Sequence, residues 1–203
     1  MIIKTFIEPP IENNNYLIID ESSQEAALVD CSAFDESIFI ELEKYNAELK
    51  YILLTHGHFD HITGLNDIDK KVKVLMHSKD NEWITELNNY LPMVGMPTME
   101  QPRIDKYIED NEIIKLGNLE IKVIHTPGHT QGSVCYLVEE HLFSGDTIFR
   151  ESVGRCDLPG GNFSQIIESI TKRIFTLPDK TIIYPGHGKT TTVGWEKENN
   201  TYL

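Results

Sequence analysis

The sequence predicts an α+β protein of two sheets covered by helices. Short apolar runs of strand length dominate both halves of the chain. Amphipathic helical segments are interspersed among them in each half, not gathered at one end. No fixed-period repeat or low-complexity segment breaks the pattern, and such a mixture fits layered sheets better than a bundle or a simple barrel.

The elements follow in order. Residues 2–7, 16–20 and 26–30 are apolar runs bounded by polar or turn residues, and read as strands. Residues 34–45 read as a helix with Ile38, Leu42 and Tyr45 on one face. Residues 51–55 and 71–76 are further strands, and Ser78 is placed to cap a helix over 79–89. Residues 90–106 carry three prolines and no period, so they read as a long loop, expected to form a flexible wall of a binding pocket. In the second half, residues 113–116 and 119–124 flank Gly117-Asn118, a hairpin signal. Strands at 134–138, 141–144 and 181–184 surround a helix over 163–176, capped by Asn162, and residues 192–199 end the pattern as a short helix.

Composition narrows the function. At 203 residues and 40% hydrophobic content the chain can bury a substantial core, and one domain over 1–203 is expected. The net charge of −14 argues against sequence-independent binding to nucleic acid and against docking on an anionic membrane surface. No apolar run is long enough to span a bilayer, and the N-terminus carries no secretory or transit pattern. Three cysteines, Cys31, Cys135 and Cys156, are too few and too odd for a disulfide framework, so a reducing, cytoplasmic setting is expected.

The chemistry concentrates in histidines. In Thr55-His56-Gly57-His58-Phe59-Asp60-His61, four potential metal ligands fall within six residues, directly after a strand. A spacing of two puts His56 and His58 on one side of an extended backbone, and Gly57 offers freedom for a bend. The cluster reads as a strand-to-loop site able to serve two metals. Imidazole with carboxylate suits zinc, iron or manganese, not calcium. Thr126-Pro127-Gly128-His129-Thr130 and Tyr184-Pro185-Gly186-His187-Gly188 each put a histidine just past a strand, and Ser144-Gly145-Asp146-Thr147 puts an aspartate in the same place. Four strands thus deliver ligands at their ends, where loop-borne sites gather.

THGHFDH resembles the HxHxDH signature of the metallo-β-lactamase fold superfamily, and TPGHT, SGDT and PGHG resemble its later metal motifs. Their order and spacing are similar to the glyoxalase II-like hydrolases, and GRCDLPGG resembles the single-domain bacterial branch. The resemblance covers essentially the whole chain. It implies an αββα sandwich with metals at one edge of the sheets. It also implies that His56, His58 and His129 bind one metal, that Asp60, His61 and His187 bind a second, and that Asp146 bridges both. Asp60 and Asp146 are the carboxylates assigned a part in catalysis. Two divalent ions are expected, zinc first, with iron or manganese as alternatives. His77, His125 and His141 match no ligand motif and are expected to be structural or at the surface.

A hydroxide bridging two metals is a nucleophile at neutral pH, and a thiol leaving group, with a pKa near 8.5, needs no separate general acid. The expected function is therefore hydrolysis of small thioesters such as S-D-lactoylglutathione. The alternatives are an iron-dependent persulfide dioxygenase, whose relatives also carry a GR-x-D loop, and a lactonase or β-lactamase-like hydrolase. In two-domain glyoxalase II enzymes a Lys and a Tyr of the matching loop hold glutathione, and a C-terminal helical domain completes the pocket. The matching residues here are Arg155 and Asp157, and no such domain is expected after His187. Arg155 either binds a substrate carboxylate or pairs with Asp157. Asp30 either orients the loop of residues 56–61 or caps the helix after it. Thr55, Thr130 and Ser133 are candidates for holding loop geometry.

Overall fold

Two six-stranded sheets face each other in the computed structural model, which describes residues 1–9 and 11–203. The first runs in sequence order through β1 (Ile2–Glu8), β2 (Asn13–Asp20), β3 (Glu25–Val29), β4 (Glu48–Leu53), β5 (Lys73–His77) and β6 (Lys106–Ile108). Strands β1 to β3 pair antiparallel, with Ile2 opposite Ile19 and Leu17 opposite Leu28. From β3 to β6 every pair is parallel, so each connection must cross a face of the sheet. The crossings carry α1 (Glu36–Lys44), α2 (Asn81–Thr85) and α3 (Leu87–Tyr90).

The second sheet contains β7 (Ile113–Leu116), β8 (Leu119–His125), β9 (Val134–Val138) and β10 (His141–Gly145) as an antiparallel meander. After the two-stranded ribbon β11 (Ile148–Phe149) and β12 (Ser152–Val153), α4 (Phe163–Ser169) leads to β13 (Ile182–Pro185), which pairs parallel with β10. The chain closes with β14 (Thr191–Thr192) and α5 (Val193–Asn199).

Alternation along the strands sorts the core into three layers. Tyr16, Ile18, Leu53 and Leu75 of the first sheet meet Ile121, Val123, Tyr136 and Phe143 of the second between the sheets. Leu17, Ile19, Ile52 and Met76 point the other way and pack under Ile38, Leu42, Ile84 and Leu87 of the helices. On the far side Ile124, Leu142 and Ile183 pack under Ile166, Ile170 and Val193. The result is the expected αββα sandwich. Among the described residues no helix is long and apolar enough to cross a membrane.

Several boundaries differ from the sequence reading. Strand β2 starts at Asn13, because Asn14 and Asn15 pair with Ile7 and Phe6 although their side chains are polar. The helix expected over 79–89 is broken at Glu86, whose ψ of 8° leaves the helical range. Ser78 does not cap it; His77 Nδ1 accepts from the Lys79 amide instead. Within 90–106, Leu91–Val94 forms a 3₁₀ turn ended by Gly95 in the left-handed region, and Lys106 opens β6. The expected helix over 163–176 is α4 followed by a π-helical turn at Ile170–Ile174. Asn162 caps it as expected, accepting from the Gln165 amide at 3.0 Å.

Candidate metal centre

The strands deliver their side chains to one edge of the sandwich. Beyond β4 the chain passes through residues 54–58 and turns at Phe59–His61. Past β8 comes His129, directly after β10 comes Asp146, and past β13 comes His187. The chain turns two residues after Gly57, at Phe59–His61, and Gly57 itself does not take a positive φ. It is glycine because a Cβ would lie 2.7 Å from Trp83 Cβ. Gly186 is similarly constrained, since a Cβ there would sit 2.3 Å from Asp146 Oδ1.

Three nitrogens converge. His56 Nε2 lies 3.1 Å from His58 Nδ1, and His129 Nε2 lies 3.2 and 2.9 Å from them. Metal–nitrogen bonds of 2.0–2.1 Å in a tetrahedral site would hold such atoms about 3.3 Å apart. Asp60, His61 and His187 form a second group, with His187 Nε2 3.4 Å from Asp60 Oδ2. Asp146 lies between the groups. Its Oδ1 is 3.5 Å from His61 Nε2, and its Oδ2 is 3.6 Å from both His129 Nε2 and His187 Nε2. All seven expected side chains meet here.

The partners of the outer ring nitrogens orient the inner ones. Asp30 Oδ2 accepts from His61 Nδ1 at 2.8 Å, and the Arg155 carbonyl accepts from His129 Nδ1 at 2.7 Å. The Thr55 hydroxyl donates to Asp30 at 2.8 Å, so it accepts from His56 Nδ1 at 3.0 Å. The Glu12 carbonyl faces His187 Nδ1 at 3.4 Å. In their neutral form, four imidazoles therefore turn lone pairs inward. His58 Nε2 and Asp146 Oδ1 are buried without a hydrogen-bond partner among the described residues. Inward lone pairs and an orphaned carboxylate oxygen are costly to bury together unless a cation sits among them. The donor set fits divalent metal ions of the zinc, iron and manganese kind.

For His56, His58 and the carboxylates the electrostatics agree. Burial pushes His58 down to about 3, with His129 adding to the shift, and burial with His61 and His129 drives His56 down too. Both rings are held neutral, as ligands must be. Burial also opposes charge on His61, but Asp30, Asp60 and Asp146 outweigh it and raise its basicity. Although burial pushes Asp146 up, His61, His129 and His187 hold it well below the usual carboxylate range. The centre thus keeps its carboxylates ionised and draws positive charge.

Asp30 orients the loop. Its Oδ1 also accepts from the Thr55 amide at 2.8 Å, and its backbone takes the left-handed conformation that aspartate tolerates. The cap of α1 is Asp35, which accepts from the Ser37 amide at 2.9 Å. Arg155 pairs bidentately with Asp157 at 2.7 and 2.8 Å on the surface. His77 stacks on His125 with ring centroids 4.3 Å apart, and His141 meets the Tyr184 hydroxyl, all outside the centre. Trp83, whose ring packs edge-on against His58, also lines a cavity of about 90 Å³ together with Asp80, Tyr90, Gln131 and Pro159. Of the stretch expected to wall a pocket, Tyr90 alone lines it; Met96, Met99 and Ile104 pack on the helix-covered core instead.

Sequence reasoning missed two residues. Asn13 points its Nδ2 at His61 Nε2 across 2.8 Å. Asp80, fully buried, accepts from the backbone of both ligand loops. An acid just past the strand over 71–76 repeats the strand-then-ligand pattern of Asp146, and that signal could have flagged it.

Comparison with known proteins places this geometry. A family model described as the metallo-beta-lactamase superfamily matches residues 9–187. Hydroxyacylglutathione hydrolase GloC of Haemophilus influenzae is 31% identical over 195 residues, covering 93% of this chain and 92% of that protein. Among solved structures, BLEG-1 B3 metallo-beta-lactamase superposes with a TM-score of 0.90 at 34% identity, over 100% of this chain and 99% of that one. TTHA1623, solved in a di-iron-bound form, gives a TM-score of 0.87 at 30% identity, over 98% of this chain and 100% of that one.

Proposed function

Because the chain belongs to the metallo-beta-lactamase superfamily, we propose that it is a metal-dependent hydrolase of small thioesters of the acylglutathione kind, S-D-lactoylglutathione among them. The observation that carries hydrolysis is the set of inward lone pairs around the orphaned Asp146 oxygen. Similarity to GloC supports the substrate class. His56, His58 and His129 would hold one divalent ion, Asp60, His61 and His187 a second, and Asp146 would serve both. Zinc suits the donors, and the likeness to a di-iron protein supports iron as well. When bound, such ions supply Lewis acidity and a water acidic enough to ionise near neutral pH.

The chain's own residues do the remaining work. Asp30, Thr55 and the Arg155 carbonyl hold the histidine tautomers. Asp146 and Asp60 keep their charge while burial holds His56 and His58 neutral, so the site offers carboxylate and neutral imidazole together. A thiolate leaves without a proton donor, which fits a centre whose carboxylates are all held ionised. The exposed guanidinium of Arg155 is a proposed contact for a substrate carboxylate, at the expense of its pair with Asp157. The net charge of −14 favours a small-molecule substrate over nucleic acid or a membrane surface.

A second reading, β-lactam hydrolysis, draws on the likeness to BLEG-1. The deciding experiment runs on zinc-loaded and iron-loaded protein in parallel. Hydrolysis of S-D-lactoylglutathione without oxygen, by both forms, is expected. Turnover of a chromogenic cephalosporin with no thioester cleavage would favour the second reading. Oxygen uptake with glutathione persulfide, confined to the iron form and without thioester cleavage, would replace both by a persulfide dioxygenase.

A further inference from the structure

We propose that Asp80 is a positioning residue that sets His56 and His58 against His129, and so builds the three-histidine half of the centre; this rests on the reading above that these histidines hold a metal ion. Asp80 follows β5, on a connection that supplies none of the seven converging side chains. Its side chain is fully buried. Oδ2 accepts from the Gly57 amide at 2.9 Å, and Gly57 lies between His56 and His58. The same oxygen accepts from the Thr130 hydroxyl at 2.7 Å, one residue past His129. Oδ1 accepts from the Gly132 amide at 2.6 Å. One carboxylate therefore ties a loop of the first sheet to a loop of the second.

The fit is close on both sides. A Cβ on Gly57 would come within 3.0 Å of the Asp80 carbonyl oxygen, and one on Gly132 within 2.6 Å of Asp80 Cγ. Both loops are thus packed onto Asp80 with no room for slack. A carboxylate offers acceptors only, at both oxygens. Asparagine keeps the shape but turns one arm into a donor facing donors, which forces one loop away. The spacing of the three nitrogens, 2.9 to 3.2 Å, is what that shift would spoil. No group of the proposed chemistry needs Asp80 directly, so its effect passes through the loops.

Zinc affinity of the metal-free full-length chain, read by competition with a chromophoric chelator, tests this in two backgrounds. In His187→Ala, which leaves the three-histidine set intact, Asp80→Asn should weaken zinc about 10–100-fold, the usual cost of losing an outer partner of a metal site. In His129→Ala, where the Asp60, His61 and His187 group carries the binding, Asp80→Asn should leave the affinity unchanged. Unchanged affinity in the His187→Ala background overturns the inference, and so does equal weakening in both, which would mark a general structural role. If Asp80→Asn fails to fold, Thr130→Val, which removes one of the three donors, takes its place with a smaller loss expected in the same background alone; no loss there overturns the inference. A wild-type chain that binds no zinc, iron or manganese would instead remove the metal reading itself, and the inference with it.

Discussion

The first sheet sends His56, His58, Asp60 and His61 to the centre from one loop, whereas the second sends His129, Asp146 and His187 from the ends of three strands. Their bracing differs as much as their delivery. Asp30 holds the loop of the first sheet, and Asp80 ties that loop to the one carrying His129. The histidines of the second sheet lean on carbonyl oxygens, at 2.7 Å for His129 but 3.4 Å for His187. His61 is wholly buried, while the His187 side chain is 25% exposed. The centre thus has a rigid part, fixed by charge-assisted hydrogen bonds to Asp30 and Asp80, and a softer end at His187.

The sharpest test of this division acts on the residue between the two sides. Asp146→Asn keeps the shape but removes the charge that faces both groups. It should lower kcat by about 10²-fold or more, at least about 2.7 kcal/mol in activation free energy. Activity within a few-fold of wild type at full metal content would break the two-group picture.

In the rigid part, Asp30→Ala strips partners from the Thr55 amide, the Thr55 hydroxyl and His61 Nδ1 together. Buried donors left unpaired cost about 1–3 kcal/mol each. With some relaxation, a loss of about 2–3 kcal/mol is expected, or roughly 5–10 °C in the unfolding temperature for a chain of this size. A shift under about 2 °C would mean that the loop is held by something other than Asp30.

At the softer end, the equivalent that His187 would help to hold should leave first. Chelator titration of metal-loaded protein should release metal in two steps, and His187→Ala should weaken the looser one by about 10-fold or more. Reconstitution that never exceeds one equivalent, with His187→Ala without effect, would end the dinuclear reading.

The same asymmetry explains what was legible in the sequence. The first-sheet donors stand in one motif, and each second-sheet donor follows a strand in a Gly or Pro-Gly turn, so local signals sufficed to single out all seven. The strand-length runs with helices interspersed in both halves likewise announced layered sheets. Asn13 and Asp80 carry no local signal of that strength, because their roles come from chain segments far away in sequence. The polar side chains of Asn13, Asn14 and Asn15 hid the start of β2, where backbone pairing and tertiary contacts override composition. The break at Glu86 and the short strand β6 were hidden for the same reason. Three residues such as Lys106–Ile108 carry no readable period, and pairing with β5 decides their conformation.

The end of the sandwich away from the centre supplies the smallest expected effect and a control for the rest. Asp20, at the end of β2, accepts from the Asn118 amide at 2.8 Å in the hairpin between β7 and β8, and from Ser22 and Ser23. It therefore clasps the two sheets together where no donor of the centre lies. Hydrogen bonds from the Ser22 hydroxyl and the Asn118 amide hold its carboxyl well below the usual range. With a depressed folded-state pKa, its stabilisation is fully present above the unfolded value near 3.9 and is lost as pH falls through the folded one. Asp20→Asn should cost about 1 kcal/mol at pH 7, or roughly 2–4 °C. The gap should narrow as the pH is taken below about 4. Thioester turnover at pH 7 should be unchanged, because no donor of the centre touches the clasp. A fall in kcat with the metal content intact would show that the two ends of the sandwich are coupled, and would dissolve the separation between scaffold and centre on which the other comparisons rest.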